Sequence, residues 1–217
     1  MIKYKQIING LNVRPEIGFF GYSSVTLIED GNENILVDTG SYGIRKYLAN
    51  FIKQVHIHKV FVSHLHFDHC ANINLFKDIP IYIHKDEIAS LKKDDNDIFG
   101  DLYQFISGSL DKLKVIPFSA EDHLSENTRI KFTPGHTIGH SSLEINDQSK
   151  RIIVAGDAIE TLQEYRNPNY EDEHFDKVQY KKSYEFIKNN YDIIIPGHDY
   201  IIEDGKRVGT PTQLKTF

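Results

Sequence analysis

Between Val62 and Cys70 the chain reads Val-Ser-His-Leu-His-Phe-Asp-His-Cys, which packs three imidazoles and one carboxylate into six residues. Neutral imidazole and carboxylate are the usual protein ligands of zinc and its first-row neighbours. The apolar segment Lys59–Val62 before the run predicts a strand, and Ala71–Phe76 after it predicts a helix. The histidines therefore fall on a strand-to-helix loop, where backbone is free to turn several side chains towards one point. The competing reading is a run of solvated histidines. Such runs are terminal or low-complexity and do not interrupt an apolar strand with an Asp in fixed phase.

The other segments limit the fold that can carry this loop. Ile2–Ile8 alternates loosely as a first strand. Val25–Glu29, the turn Asp30-Gly31-Asn32 and Asn34–Val37 predict a hairpin. Ile44, Tyr47, Leu48, Phe51 and Ile52 recur at helical spacing and predict an amphipathic helix over 43–54. Strands are expected at 80–83, 113–117, 129–133, 142–145, 151–155 and 192–196, with helices at 85–91 and 173–190. The tail after Gly205 is polar and is expected to fray. The acidic stretch Asp94-Asp95-Asn96-Asp97 lacks the glycine and distal glutamate of a calcium loop and reads as solvated. Helices interleave with hairpins, which predicts an α/β protein with two sheets packed face to face and helices outside.

Three later loops repeat one grammar: an apolar strand, a glycine, then one ligand-type side chain. They are Thr133-Pro134-Gly135-His136, Gly156-Asp157 and Pro196-Gly197-His198. A lone histidine after a strand is more often structural, but recurrence beside the dense run points to a shared centre. The candidate metal ligands are thus seven: His64, His66, Asp68, His69, His136, Asp157 and His198. Seven exceeds the three or four protein ligands of one tetrahedral zinc and suits two ions sharing a ligand. Asp157 is the best bridge, because the two oxygens of a carboxylate can bind different ions. The cofactors expected are two divalent ions per chain, zinc before Mn2+ or Fe2+, poised to activate water and polarise a substrate oxygen.

On these residues the chain resembles the metallo-β-lactamase-fold hydrolases. Their H-x-H-x-D-H pattern is met by His64–His69, and their later His, Asp and His by His136, Asp157 and His198; Asp38-Thr39-Gly40 is similar to their buried Asp after an early strand. The resemblance runs from about Val25 to Tyr200. It implies a four-layer αββα sandwich with the metals at one edge. No Pro/Gly/Ser-rich linker or composition break divides the sequence, so a single domain over 1–217 is expected. The resemblance also implies an allocation: His64, His66 and His136 to one ion, Asp68, His69 and His198 to the other, Asp157 between them. Asp68 is the catalytic candidate, orienting the nucleophile or passing a proton to the leaving atom.

Within that family, Thr133–His140 and Ser63–His69 are closest to the acyl-homoserine lactonase and glyoxalase II-like branches. Two departures stand out. The lactonases carry a Tyr three residues after the bridging Asp, where this chain has Glu160, and the extra helical segment of glyoxalase II is not matched. A small ester, lactone or thioester is the expected substrate; a phosphodiester, or a mononuclear iron oxygenase reaction, is the alternative. Asp38 is expected to orient a ligating histidine. His140 reads as a supporting rather than ligating histidine, Cys70 as a small buried residue, and His56, His58, His84, His123 and His174 as structural. Tyr165, Arg166, Tyr170 and the loop Gly18–Tyr22 are candidates to line the pocket. The loop reads either as a flap over it or as aromatics tucked into the core.

The formal net charge of -6 argues against unspecific nucleic-acid binding. The single cysteine permits no internal disulfide, and the first residues lack the apolar core of a signal peptide, so a cytoplasmic protein acting on a small molecule, with no membrane partner, is expected. No oligomeric state follows from the sequence, which is compatible with a homodimer.

Overall fold

Two sheets face each other, and each is covered on its outer side by helices. The computed structural model describes residues 2–91, 100–147, 149–170 and 174–209. The first sheet holds β1 (Lys3–Ile8), β2 (Val25–Asp30), β3 (Glu33–Val37), β4 (Lys59–Phe61), β5 (Ile81–His84) and β6 (Val115–Phe118), in that spatial order. β1 to β3 are antiparallel neighbours, and β3 to β6 are parallel. Parallel strands are buried on both faces and so read as continuous apolar runs. Ile35, Leu36, Val60 and Phe61 are accordingly fully buried. Four helices belong to this half: α1 (Arg45–Phe51), α2 (Phe67–Cys70), α3 (Lys85–Ser90) and α4 (Gly100–Leu110).

The second sheet holds β7 (His123–Ser125), β8 (Thr128–Phe132), β9 (Ser141–Asn146), β10 (Arg151–Gly156), β11 (Ile193–Pro196), β12 (Ile201–Glu203) and β13 (Lys206–Val208), in spatial order β13-β12-β11-β10-β9-β8-β7. Two helices join it, α5 (Leu162–Arg166) and α6 (Lys177–Asn190). Only the β10–β11 pair is parallel.

Three apolar layers follow. Ile28, Ile35, Val37 and Phe61 of the first sheet meet Ile130, Leu143, Val154 and Ile195 of the second. Leu27, Leu36 and Val60 pack outward on Leu48 and Ile106 of α1 and α4. Ile153, Ala155 and Ile194 pack on Tyr184 and Ile187 of α6. Asp176 caps α6 by accepting from the Val178 and Gln179 amides, an interaction of about 1 kcal/mol. This is the expected αββα arrangement.

Topology places the centre. β8 and β10 each run antiparallel to β9, and β11 runs parallel to β10, so all three point the same way. Their C-terminal ends, carrying His136, Asp157 and His198, share one edge. Short bonds stitch the first sheet to that edge: Ser141 N–H donates to Ser63 O at 3.0 Å and Ser24 N–H to Gly197 O at 2.6 Å.

Several boundaries depart from the sequence reading. The helix expected after the histidine run begins inside it, at Phe67, and continues only as a 3-10 turn over Ile73–Leu75. The helix at 43–54 splits into a 3-10 turn, Tyr42–Ile44, and α1. α4, α5, β7, β12 and β13 were not foreseen, being short or weakly periodic. β13 pairs with β12 where a frayed tail is expected from the polar sequence. The acidic stretch 94–97, residues 210–217 and the start of the helix expected from Glu173 lie outside the described residues.

Candidate metal centre

All seven candidate side chains converge at the shared edge. They form two groups, His64, His66, His136 and Asp157 on one side and Asp68, His69 and His198 on the other, with the donor atoms of each group within 4.8 Å of one another. In the first, His136 Nε2 lies 3.0 Å from His66 Nδ1 and 3.3 Å from Asp157 Oδ2. His64 Nε2 lies 3.8 Å from the same oxygen. In the second, His198 Nε2 lies 3.3 Å from Asp68 Oδ2 and 3.4 Å from His69 Nε2. Asp157 reaches both groups: Oδ1 is 3.3 Å from His69 Nε2, and Oδ2 is 3.4 Å from His198 Nε2. Donor atoms about 2.0–2.1 Å from one tetrahedral zinc stand about 3.3–3.4 Å apart, the spacing seen here.

Asp38 sets the orientation of two imidazoles at once. Its Oδ2 accepts from His69 Nδ1 at 2.8 Å and from Ser63 Oγ at 2.9 Å; its Oδ1 accepts from Ser63 N–H at 2.8 Å. With its proton committed to Asp38, Ser63 Oγ accepts from His64 Nδ1 at 3.0 Å. Both rings therefore carry a proton on Nδ1 and turn Nε2 inward. Asp38 itself has φ +60°, a left-handed conformation costly for a non-glycine residue, and these three bonds hold it there. Thr39 and Asn72 complete the support: Thr39 N–H donates to His69 O at 2.7 Å, and Asn72 Nδ2 donates to Thr39 O at 2.8 Å.

The scattered ligands are held one at a time. His198 Nδ1 donates to the carbonyls of Tyr22, at 3.1 Å, and Leu11, at 3.3 Å, which again turns Nε2 towards the centre. Asp157 N–H donates to His140 Nε2 at 3.0 Å, and His140 Nδ1 donates to Thr133 O at 2.9 Å. His140 is thus a support for Asp157, as its sequence context suggested. Space explains the glycine before each ligand. A Cβ on Gly197 would stand 1.8 Å from Asp157 Oδ1, and one on Gly156 (φ +55°) would stand 2.8 Å from His140 Nε2.

Charge and burial suit a cation. Burial pushes the pKa of His64 and His136 well below the ordinary histidine value and lowers that of His66; neighbouring imidazoles add to this at His64 and His136. His64 Nε2 and Asp157 Oδ1 are buried without a hydrogen-bond partner. The bare His64 nitrogen stands 3.8 Å from Asp157 Oδ2, two acceptors that repel unless a positive charge stands between them. In the second group burial also opposes protonation, but the Asp157, Asp38 and Asp68 carboxylates outweigh it at His69, whose pKa is well raised. Asp157 above all raises His198, to about 9. The Asp157 carboxyl, for its part, is held well below its ordinary range: burial opposes ionisation but is outweighed by His69, His198 and His136. Cation binding at the second group therefore displaces protons.

A cavity of about 340 Å³ opens over the centre, lined by Gly18, Phe19, Asp68, Glu160 and His174 among others. Phe19 meets the His198 ring edge-on at 5.7 Å, and Phe20 is 57% exposed. Of the two readings of the Gly18–Tyr22 loop, the cover over the pocket fits Gly18 and Phe19, while Tyr22 packs on the core. Tyr165 and Tyr170 pack instead on the outer core with Tyr184, and Arg166 bonds Gly205 O at 2.7 Å; none of the three lines this cavity. His174, read from sequence as structural, stacks on Tyr180 and sits 5.9 Å from the His136 ring. Cys70 is buried with its thiol pushed well up by burial, and so is unreactive.

Sequence reasoning missed Glu87, which is buried and ties the two histidine loops by accepting from Leu65 N–H at 2.9 Å and Gly139 N–H at 2.7 Å. An acid in a short helix carries no sequence signal for that role. It also missed that Asn12 and Arg14, at 3.0 and 2.9 Å, pin the N-terminal segment to Glu160.

A model of the metallo-beta-lactamase superfamily matches residues 18–198. The "probable metallo-hydrolase" of Methanocaldococcus jannaschii is 29% identical over 198 residues, covering 84% of this chain and 90% of its own. The N-acyl homoserine lactonase of Bacillus thuringiensis is 32% identical over 160 residues, 67% of this chain; the match spans 57% of the lactonase. A solved structure of a "probable metal-dependent hydrolase" from Staphylococcus aureus superposes with TM-score 0.71 at 16% identity, over 100% of this chain and 98% of that one. That last likeness concerns the fold.

Proposed function

The chain belongs to the metallo-beta-lactamase superfamily and is a metallo-hydrolase, and within that class we propose a dinuclear centre, most simply of zinc, that cleaves a small ester, lactone or thioester. One observation carries the dinuclear part: Asp157 stands between the two groups, within 3.4 Å of His136 and His198 through Oδ2 and 3.3 Å of His69 through Oδ1. His64, His66 and His136 would hold one ion and Asp68, His69 and His198 the other, with Asp157 shared. Bound there, the ions would supply a water acidic enough to ionise near neutral pH and would polarise the oxygen of the scissile group.

The chain's own residues do the rest. Asp38 and Ser63 fix the tautomers of His69 and His64, so that Nε2 of each is available. Asp68 lines the cavity, its carboxylate beside His198 Nε2. From there Oδ2 would orient the attacking water, take the proton that water gives up on attack, and pass that same proton to the leaving atom. Phe19 covers the His198 side and limits access of bulk water. The lactonase relatives support the lactone or ester class over a phosphodiester. A single domain over 1–217, acting on a small molecule in the cytoplasm, completes the reading. No helix among the described residues is long and apolar enough to cross a membrane.

The test is elemental analysis of the zinc-reconstituted protein, followed by a hydrolysis screen over lactones, esters, thioesters and phosphodiesters. Two ions per chain with turnover of a carbonyl substrate are expected. One ion under saturating metal, or turnover confined to phosphodiesters, would refute the proposal.

A further inference from the structure

The cavity over the centre continues into a larger one of about 730 Å³; Arg14, Glu160, His174 and His198 line both. This second cleft has an unusual wall. Among the described residues Leu11 is its one aliphatic side chain; carboxamides come from Gln163, Asn167 and Asn169, while that of Asn12 is already engaged with Glu160 and Arg14. A carboxamide offers a donor and an acceptor together, the complement of a peptide group. A hydrocarbon tail would strip water from these groups and return no hydrogen bond.

Arg207 presents a guanidinium at the same cleft, one edge of it paired with Asp199. Its Nε and Nη2 grip Asp199 at 2.6 and 2.8 Å. Asp199 also accepts from the backbone amides of Leu162 at 2.9 Å and Tyr200 at 2.8 Å, so its negative charge is satisfied inside the protein. The Arg207 side chain stays 56% exposed, with Nη1 turned to no protein acceptor among the described residues. A guanidinium so placed is suited to a carboxylate.

We propose that this cleft binds the non-reacting tail of the substrate and selects a peptide-like tail, with amide groups and a terminal carboxylate, over a hydrocarbon chain. The proposal rests on the hydrolytic reading of the adjoining centre but concerns a separate surface, and binding can test it without turnover.

The experiment is calorimetric titration of the zinc-loaded protein with N-acetylglycylglycine, its neutral amide N-acetylglycylglycinamide, and hexanoate. The dipeptide is expected to bind at least about tenfold tighter than hexanoate, the factor that one or two net hydrogen bonds supply. The double variant Gln163→Leu with Asn167→Leu, at two exposed positions, should shrink that ratio to below about threefold. Arg207→Gln should weaken the dipeptide at least about fivefold and leave the neutral amide unchanged, a difference that isolates the charge from any carboxylate bound at the metals. Thermal melts establish that each variant is folded. Equal or tighter binding of hexanoate overturns the proposal, as does a ratio unchanged in the double variant. A matched pair of esters with peptide and hydrocarbon tails separates the two readings. If the dipeptide binds as expected and neither ester is cleaved, the ester reading of the centre fails and the cleft stands. If both esters are cleaved at equal efficiency, the cleft proposal fails and the hydrolase stands.

Discussion

The two halves of the molecule build the same centre by different means. The first sheet delivers His64, His66, Asp68 and His69 from one loop, locked by a single hub, Asp38 with Ser63. The second sheet delivers His136, Asp157 and His198 from the ends of three strands: His198 is held by two carbonyls, Asp157 through its amide to His140, and His136 through its backbone carbonyl, which accepts from Phe175 N–H at 3.3 Å. A hub gives precise mutual orientation at the cost of a shared weak point. Separate ties distribute the weakness but depend on strand register across the sheet, since each ligand is only as well placed as the strand before it.

Removing the metal touches both halves and should have the largest effect. Chelation is expected to abolish hydrolysis. It should also lower the melting temperature by about 10 °C, because an ion present at about a thousand times its Kd contributes about 4 kcal/mol to a chain this size. Calorimetry of holo- and demetallated protein reads this directly; an unchanged transition would mean that the metal does not tie the halves together.

Next comes the carboxylate proposed as shared, Asp157. Asp157→Ala should empty both positions and reduce turnover by about a thousandfold or more, whereas Asp68→Ala should chiefly empty one. Metal content of the two variants beside the parent decides the matter. Two tightly held ions in Asp157→Ala, with near-parental turnover, would remove Asp157 from the centre.

The hub and tie comparison is sharpened by a third pair. Asp38→Ala frees two imidazoles and should lower zinc affinity towards the upper end of the about 10–100-fold range for such supporting residues. His140→Ala, which releases only the Asp157 amide, should lie at the lower end. Competition titration with a chelating dye measures both; equal losses would mean that the one-loop half has no special dependence on its hub.

The smallest effect concerns pH. Burial raises Glu164 from an ordinary 4.5 to about 8, with Glu160 adding to the shift, and the Tyr180 hydroxyl bonds to it. A folded-state pKa above the unfolded one contributes stability that is full below pH 4.5 and is lost as pH rises through 8. Glu164→Gln should therefore flatten the fall in melting temperature over that window and raise it by about 2–4 °C at alkaline pH, the shift expected for about 1 kcal/mol. A parallel pH profile for parent and variant would show that Glu164 carries no such proton.

What the sequence disclosed follows the same division. The dense loop was legible on its own, because four ligand-type side chains within six residues fit metal binding and little else. His136, Asp157 and His198 were legible only through their repeated context of strand, glycine and ligand. Asp38 was foreseen as a support from its place after β3. Glu87, Asn12 and Arg14 were not, since their partners lie far along the chain and nothing local marks them. The parallel strands announced themselves as buried runs, whereas β12 and β13, three residues each, lacked the length for a period to appear.

The distance along the chain between the halves has a consequence in time. His69 and His198 face each other 3.4 Å apart, yet 129 residues separate them. At a synthesis rate of about 5–20 residues per second, roughly 6–26 s pass between their emergence from the ribosome. Throughout that interval the first loop is complete and its last partner, His198, does not yet exist; His136 and Asp157 are made on the way. A nascent chain arrested before Gly197 should therefore show no stoichiometric binding of a second ion, which release of metal from purified arrested ribosomes would measure. The last ligand to be made is the one that turns a cluster of histidines into a closed centre.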